Sequence, residues 1–224
     1  MKMRFALLAV VGIWLAGNAT DAQTINWGSV MRSDLVDSDG QTLGDSYTFE
    51  LGAFVPDFMP SETNIDDWVS HWRTFDRAEY NGIEQPVDDG YYGYFTGAVQ
   101  MTEGGHSSSP YADLGLNFQD LDAYIWIRNR TNPQPGTEWF LARATSWAFP
   151  TYDCCATDPL KWSVSNLTLS DVPLYGKQGT TQGLGVFTDA TGHTLQTYTF
   201  IPEPSSAMLL ALTGTLMVLR RRRA

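Results

Sequence analysis

The sequence predicts an all-β fold, a β-sandwich of jelly-roll or similar type with one short amphipathic helix. Three observations carry that prediction. Gly, Pro, Asn and Asp recur about every ten residues, as they do where short strands are joined by turns. The segments between them are rich in aromatic and β-branched residues, which suit a pleated, half-buried surface. In Ser46–Phe54, Tyr47, Phe49 and Leu51 alternate with Thr48 and Glu50, giving one apolar face.

Further strands are expected at residues 91–101, 122–130, 138–145, 162–169 and 193–200. Stretches such as TNPQPG at 131–136 supply the Pro and Gly of a chain reversal between them. One segment departs from this rhythm. Ile65, Trp68, Val69 and Trp72 stand at helical spacing, and Thr63 with Asp66 has the spacing of a capping box. The reading is a short helix that covers one end of the sandwich and buries Trp68 and Trp72.

The two ends read as processing and membrane segments, a signal helix and a transmembrane helix, so the folded domain is placed at residues 23–201. At the start, Lys2 and Arg4 precede the apolar run Phe5 to Ala16, and Thr20 and Ala22 offer a cleavage site, which marks residues 1–22 as a signal peptide. At the end, Pro202-Glu203-Pro204 is followed by the apolar run Ala207 to Leu219 and by Arg220, Arg221, Arg222 and Arg223. That run makes about 20 Å of helix against a hydrocarbon core of about 30 Å, a short span that arginine snorkelling and bilayer thinning can accommodate. The arginines stay on the cytoplasmic side, which leaves the domain outside.

Charge narrows the partners. The chain has 14 Lys+Arg and 25 Asp+Glu. Setting aside Lys2, Arg4 and Arg220 to Arg223 on one side, and Asp21 and Glu203 on the other, leaves the domain with 8 basic and 23 acidic residues, a net of −15. Such a domain is repelled by nucleic acid and anionic lipid, so a charged partner is a cation. The acidity also keeps an exported protein soluble. Cys154 and Cys155 are the only cysteines, and being adjacent they do not staple distant parts of the fold. They close a vicinal disulfide, stay reduced, or pair with another chain.

The sequence has no zinc-protease, nucleophile-elbow, phosphate-loop or dinucleotide-binding motif. His106 beside Ser107 lies in the Gly/Ser loop EGGHSSSP, where such pairs arise from composition. No catalytic residue is assigned, and a non-enzymatic role is expected. The nearest thing to a metal site is DLVDSDGQTLGDS: Asp37, Asp39 and Gly40 match the start of a calcium loop, with Asp34 and Asp45 on its flanks. Thr48 stands where an EF-hand has its bidentate Glu, so the competing reading is a plain Asp/Gly turn. Seven tryptophans belong to the domain, mostly as core; Trp147 and the following Phe149 fall in its least regular part and are the expected exposed pair for a glycan platform.

The tripartite C-terminus resembles the PEP-CTERM sorting signal of Gram-negative bacteria, a tail also catalogued as an ice-binding protein C-terminal motif. The resemblance covers about the last 23 residues. It implies an inner-membrane intermediate, recognition of the triplet by an exosortase-type enzyme, and delivery to the cell surface or the extracellular polysaccharide matrix. It does not imply ice binding. The stretches FELGAF and EWFLARATSWAFP resemble uncharacterised exported bacterial proteins with such tails. The expectation is a sorted, structural or interaction protein; the alternatives are a carbohydrate-binding module using exposed aromatics and a secreted hydrolase with a carboxylate pair.

Overall fold

A computed structural model describes residues 22–30, 34–82, 93–151, 158–167, 173–179, 181–185 and 195–200. The signal peptide, Cys154 and Cys155, Pro202 to Pro204 and Arg220 to Arg223 lie outside these residues. Among the described residues no helix is long and apolar enough to cross a membrane.

The chain is mostly β, with a curled sheet. In order come β1 (Gln23–Gly28), β2 (Leu35–Val36), β3 (Thr48–Phe54), a 3₁₀ turn (Ile65–Asp67) leading into α1 (Trp68–His71), β4 (Trp72–Gly82), β5 (Gly93–Thr102) and β6 (His106–Ser107). Then follow β7 (Tyr124–Arg128), β8 (Glu138–Ala142), β9 (Leu160–Ser163), β10 (Lys177–Gln178), β11 (Thr181–Gln182), β12 (Leu195–Gln196) and β13 (Tyr198–Thr199). The large sheet has the order β13-β8-β7-β3-β4-β5-β1-β9, with β6 added to β5. A small sheet runs β11-β10-β12-β2. Pairing is antiparallel except for β1 with β9 and β2 with β12.

β3 lies near the middle of this sheet and both its faces are buried. Phe49, Leu51 and Ala53 join Ile125, Ile127, Phe140 and Phe95 in one apolar cluster. On the opposite face Phe54, Tyr124, Trp126 and Trp139 form a second cluster with Trp68, Trp72, Tyr175 and Tyr198. Trp126 meets Trp72 and Trp139 edge to face, with ring centroids 5.2 and 5.1 Å apart. This geometry suits the aromatic quadrupole. All seven domain tryptophans are buried.

Glu50, which alternates with the apolar residues of β3, is itself fully buried. Its neighbours explain how. Oε1 accepts from Arg77 at 2.8 Å, while Oε2 accepts from Arg128 at 2.6 Å and from Trp72 Nε1 at 3.1 Å. A buried carboxylate is tolerated only when paired and hydrogen-bonded in this way. Burial lowers the Arg128 pKa, and Glu50 pushes it back up.

Six strands went unread in the sequence, the two-residue strands β2, β6, β10 and β11 and the longer β1 and β4. β4 carries Arg73, Asp76, Arg77 and Glu79, and its register against β3 shifts between Leu51 and Gly52, so its period of two is broken. Asp76 is nonetheless buried, because Trp27 Nε1 donates to its Oδ2 at 2.8 Å. Gly97 permits this approach: a Cβ there would stand 2.3 Å from Trp27 Nε1.

The expected helix is present but shorter than its periodicity suggested. Trp72 is already the first residue of β4, though it and Trp68 are both buried. The capping box does not form. Asn64 instead accepts from the Ser61 amide and from Trp68 Nε1 through Oδ1, both at 2.8 Å.

The C-terminal strands are held by Glu138 at the start of β8. Thr197 and Thr199 hydroxyls donate to its two oxygens at 2.8 Å each, and Ser38 donates from both its amide and its hydroxyl. This carboxylate joins the small sheet to the large one.

Candidate functional site

An open cleft of about 240 Å³ lies between the loop that follows β3 and the segment that leads into β7. Its floor is aromatic and apolar: Phe54, Phe58, Leu121 and Tyr124. Phe54 packs 5.4 Å from Phe58 and 5.2 Å, edge to face, from Tyr124. Phe58 is held from behind by His71, stacked at 4.0 Å. Asp57, Asp120 and Asp122 also line the cleft, and all three are exposed.

Two turns place the first two carboxylates. Phe58 N donates to Val55 O at 3.2 Å, so Val55-Pro56-Asp57-Phe58 reverses the chain, with Asp57 at φ 70°. Leu121 N donates to Phe118 O at 3.1 Å, and Asp120 holds the equivalent third position at φ 61°. That position, with positive φ, is the one a type II turn usually gives to Gly. Asp tolerates it better than most side chains, at a cost of order 1 kcal/mol each. Among the described residues these are the two non-glycine positions with positive φ, and both line this cleft.

The carboxylates differ in their partners. Asp122 pairs with Arg143, whose guanidinium also donates to the Tyr124 hydroxyl at 3.4 Å and lies 5.7 Å from that ring. Burial raises the Tyr124 pKa, opposed by the hydrogen bond from Arg143. Asp120 Oδ1 accepts from the Thr151 hydroxyl at 2.8 Å. The Asp57 carboxylate takes no hydrogen bond among the described residues, and with Asp120 it leaves acceptor capacity facing solvent. Sequence reading passed over Asp57 and Asp120. The local signal was there in Pro56-Asp57, a turn-forming pair just after a strand.

The residues singled out from sequence sit elsewhere. Trp147 and Phe149 are 5% and 1% exposed, which corrects their reading as a surface platform. The Trp147 ring packs 6.3 Å from Trp162 and Phe149 packs 4.6 Å from Phe75; a tight turn, Trp147 N to Ala144 O at 3.0 Å, folds the irregular segment back onto the core.

The four aspartates of the calcium reading do not assemble. Among the described residues no group of three or more His, Cys, Asp or Glu side chains is placed to hold a metal ion. Asp37 Oδ1 accepts from the amides of Asp39 and Gln41 at 3.0 and 2.9 Å, and Gly40 takes φ 80°, so the segment is an Asp/Gly turn. Asp37 and Asp39 act on the Tyr47 hydroxyl, Asp45 on that of Tyr80, and the Asp34 carbonyl accepts from Leu195 N at 3.1 Å.

His106 and Ser107 are bonded to backbone carbonyls. His106 Nδ1 bonds Leu116 O at 2.9 Å, and the Ser107 hydroxyl donates to Phe75 O at 2.6 Å. Comparison of the chain with protein-family models, with curated proteins and with solved structures gives no match.

Proposed function

We propose that this chain is an exported bacterial protein, sorted through its PEP-CTERM-like tail to the cell surface or the exopolysaccharide matrix, where its domain is a non-catalytic interaction module. In this reading the domain is a β-sandwich of jelly-roll or similar type. The two aromatic-rich clusters on opposite faces of the curled sheet support that architecture. An exosortase-type enzyme acts at Pro202-Glu203-Pro204, while Arg220 to Arg223 hold the tail's orientation in the inner membrane.

The observation that carries the interaction role is the cleft. Two aspartates occupy left-handed turn positions where Gly costs less, and both carboxylates are exposed beside an aromatic floor, that of Asp120 held by the Thr151 hydroxyl. Ligand sites combine an apolar floor with a few placed polar groups in this manner. A hydrolytic general acid needs a carboxyl shielded from water, and the exposure of Asp57, Asp120 and Asp122 favours binding instead. Every domain tryptophan is buried, so a tryptophan platform for sugars does not form on the surface.

Cell fractionation and intact mass test the delivery. The expected mature form lacks both ends and lies outside the inner membrane; full-length protein confined to that membrane would overturn the proposal. The interaction role has its own test. The double substitution D57N/D120N is expected to release the protein from the matrix into the medium, and unchanged retention would count against the cleft.

A further inference from the structure

We propose that the segment carrying β12 and β13 is a strap whose docking controls access to Pro202-Glu203-Pro204. The triplet is processed from the state in which residues 195–200 have left the two sheets. The proposal rests on the delivery reading above and adds its regulation.

Position is the first argument. The Phe200 ring is buried against Trp139, with centroids 5.8 Å apart, and its amide donates to Thr137 O at 2.7 Å. Pro202 follows two residues later. With the strap docked, only residues 201–206 lie between the folded domain and the apolar run that starts at Ala207. Six residues reach at most about 20 Å, whereas a small folded domain is about 30 Å across. An enzyme working at the triplet is therefore short of room between the domain and the membrane. Undocking residues 195–200 doubles the available chain, to a reach of about 40 Å. It also frees backbone groups on the N-terminal side of the triplet, which an enzyme that binds its substrate as an extended strand has to engage.

The way the strap is held is the second argument. β12 lies between β10 and β2 in the small sheet, and Leu195 and Thr197 amides donate to Asp34 O and Val36 O at 3.1 and 2.9 Å. β13 is different: it has two residues and, among the described residues, pairs with β8 alone at the edge of the large sheet. So short an edge pairing is weak, and side chains reinforce it. The Thr199 and Thr197 hydroxyls donate to Oε1 and Oε2 of Glu138, and the Tyr175 hydroxyl donates to Thr199 O at 3.0 Å. Ser38, which follows β2, donates to the same carboxylate, so one group clasps the strap to both sheets. Hydrogen bonds to a carboxylate are among the stronger ones, which makes Glu138 the determinant of how often the strap opens. When opening and closing are fast, cleavage follows the population of the open form, so the clasp sets the processing rate.

Two variants of the full chain test this. T199V keeps the β-branched shape and removes one donor to Glu138. In detergent, the amides of Leu195, Thr197 and Phe200 are expected to exchange hydrogen about tenfold faster, the factor that goes with one hydrogen bond to a charged group, while those of β3 and β7 keep the wild-type rate. Pulse–chase labelling in the producing bacterium is expected to show the tail lost faster by a similar factor. The second variant inserts six Gly/Ser residues after Phe200. It is expected to exchange like the wild type yet lose its tail faster, and T199V is expected to add nothing to it.

Tail loss at the wild-type rate in the insertion variant would overturn the strap, and so would T199V opening the segment without faster tail loss. The delivery reading survives either result. Wild-type exchange in T199V would overturn the clasp assigned to Glu138. Retention of the tail in the wild type and both variants would overturn the delivery reading, and the strap with it.

Discussion

Substituting Glu50 by Gln tests how the central sheet tolerates a buried charge. Glu50 has no exposure and binds three donors, and of its two arginine partners Arg128 has a side chain 10% exposed and Arg77 one 43% exposed. E50Q preserves shape and removes the negative charge. Arg128 is then left buried over Trp126, 4.4 Å from that ring, with no counter-ion. Breaking a buried pair from one side costs about 3–5 kcal/mol. For a domain of this size that lowers Tm by roughly 6–20 °C, at 2–4 °C per kcal/mol. R77M is the internal comparison: its guanidinium is partly solvated and screened, and the expected loss is about 0–1 kcal/mol. The double variant E50L/R128M removes both charges and is expected to recover much of the E50Q loss, because a well-packed apolar pair is about as stable as a buried ion pair. Urea unfolding followed by tryptophan fluorescence, at unchanged m-value, reports all three. An E50Q loss below about 1 kcal/mol, or one no larger than that of R77M, would refute the account of a desolvated charge held by its partner.

Other consequences follow from the described contacts. W147A removes a core indole and is expected to cost about 3–5 kcal/mol in chemical unfolding. D37A deletes the acceptor for two amides in the Asp/Gly turn and is expected to cost about 1 kcal/mol. A thermal scan with and without a calcium chelator is expected to give one Tm, since a ligand that binds only the native state would raise it. Alkali should destabilise the fold: burial raises the phenols of Tyr47, Tyr80, Tyr124, Tyr175 and Tyr198, the last to about 12. Their stabilisation is full below the unfolded pKa of about 10 and is lost as pH rises through the folded values, with a slope approaching 1.4 kcal/mol per pH unit for each phenol ionised only in the unfolded chain. Stability measured between pH 9 and 12 should therefore fall ahead of the phenolate absorbance of these five side chains in the native state.

Local periodicity carried part of this fold into the sequence. Phe49 and Leu51 are buried on one face of β3, as their alternation implies, and the turn at 131–136 closes through Thr137 N to Gln134 O at 2.9 Å. The indoles of Trp68 and Trp72 share one cluster as helical spacing suggests, although a strand begins at Trp72. What periodicity does not report is whether a second layer covers the polar face. Glu50 is buried because Arg77, Arg128 and Trp72 arrive from other strands, and those pairings depend on topology. The parallel pairs β1 with β9 and β2 with β12 are hidden for the same reason: they join segments from opposite ends of the domain.

The cleft was hidden differently, because neither of its key residues violates a local rule in the sequence. An aspartate in a turn is ordinary, and Asp57 and Asp120 read as two more of the 23 acidic residues of the domain. Their backbone angles separate them, since both adopt the left-handed conformation that Gly takes with less strain. Trp147 shows the converse error: an irregular segment rich in aromatics resembles an exposed platform until a single turn tucks its rings inside. In an acidic, aromatic-rich domain, neither charge nor aromatic content distinguishes a binding surface from core or solvated coat. What distinguishes this cleft is the coincidence of two locally costly turns with one aromatic floor, and that is a property of the folded chain alone.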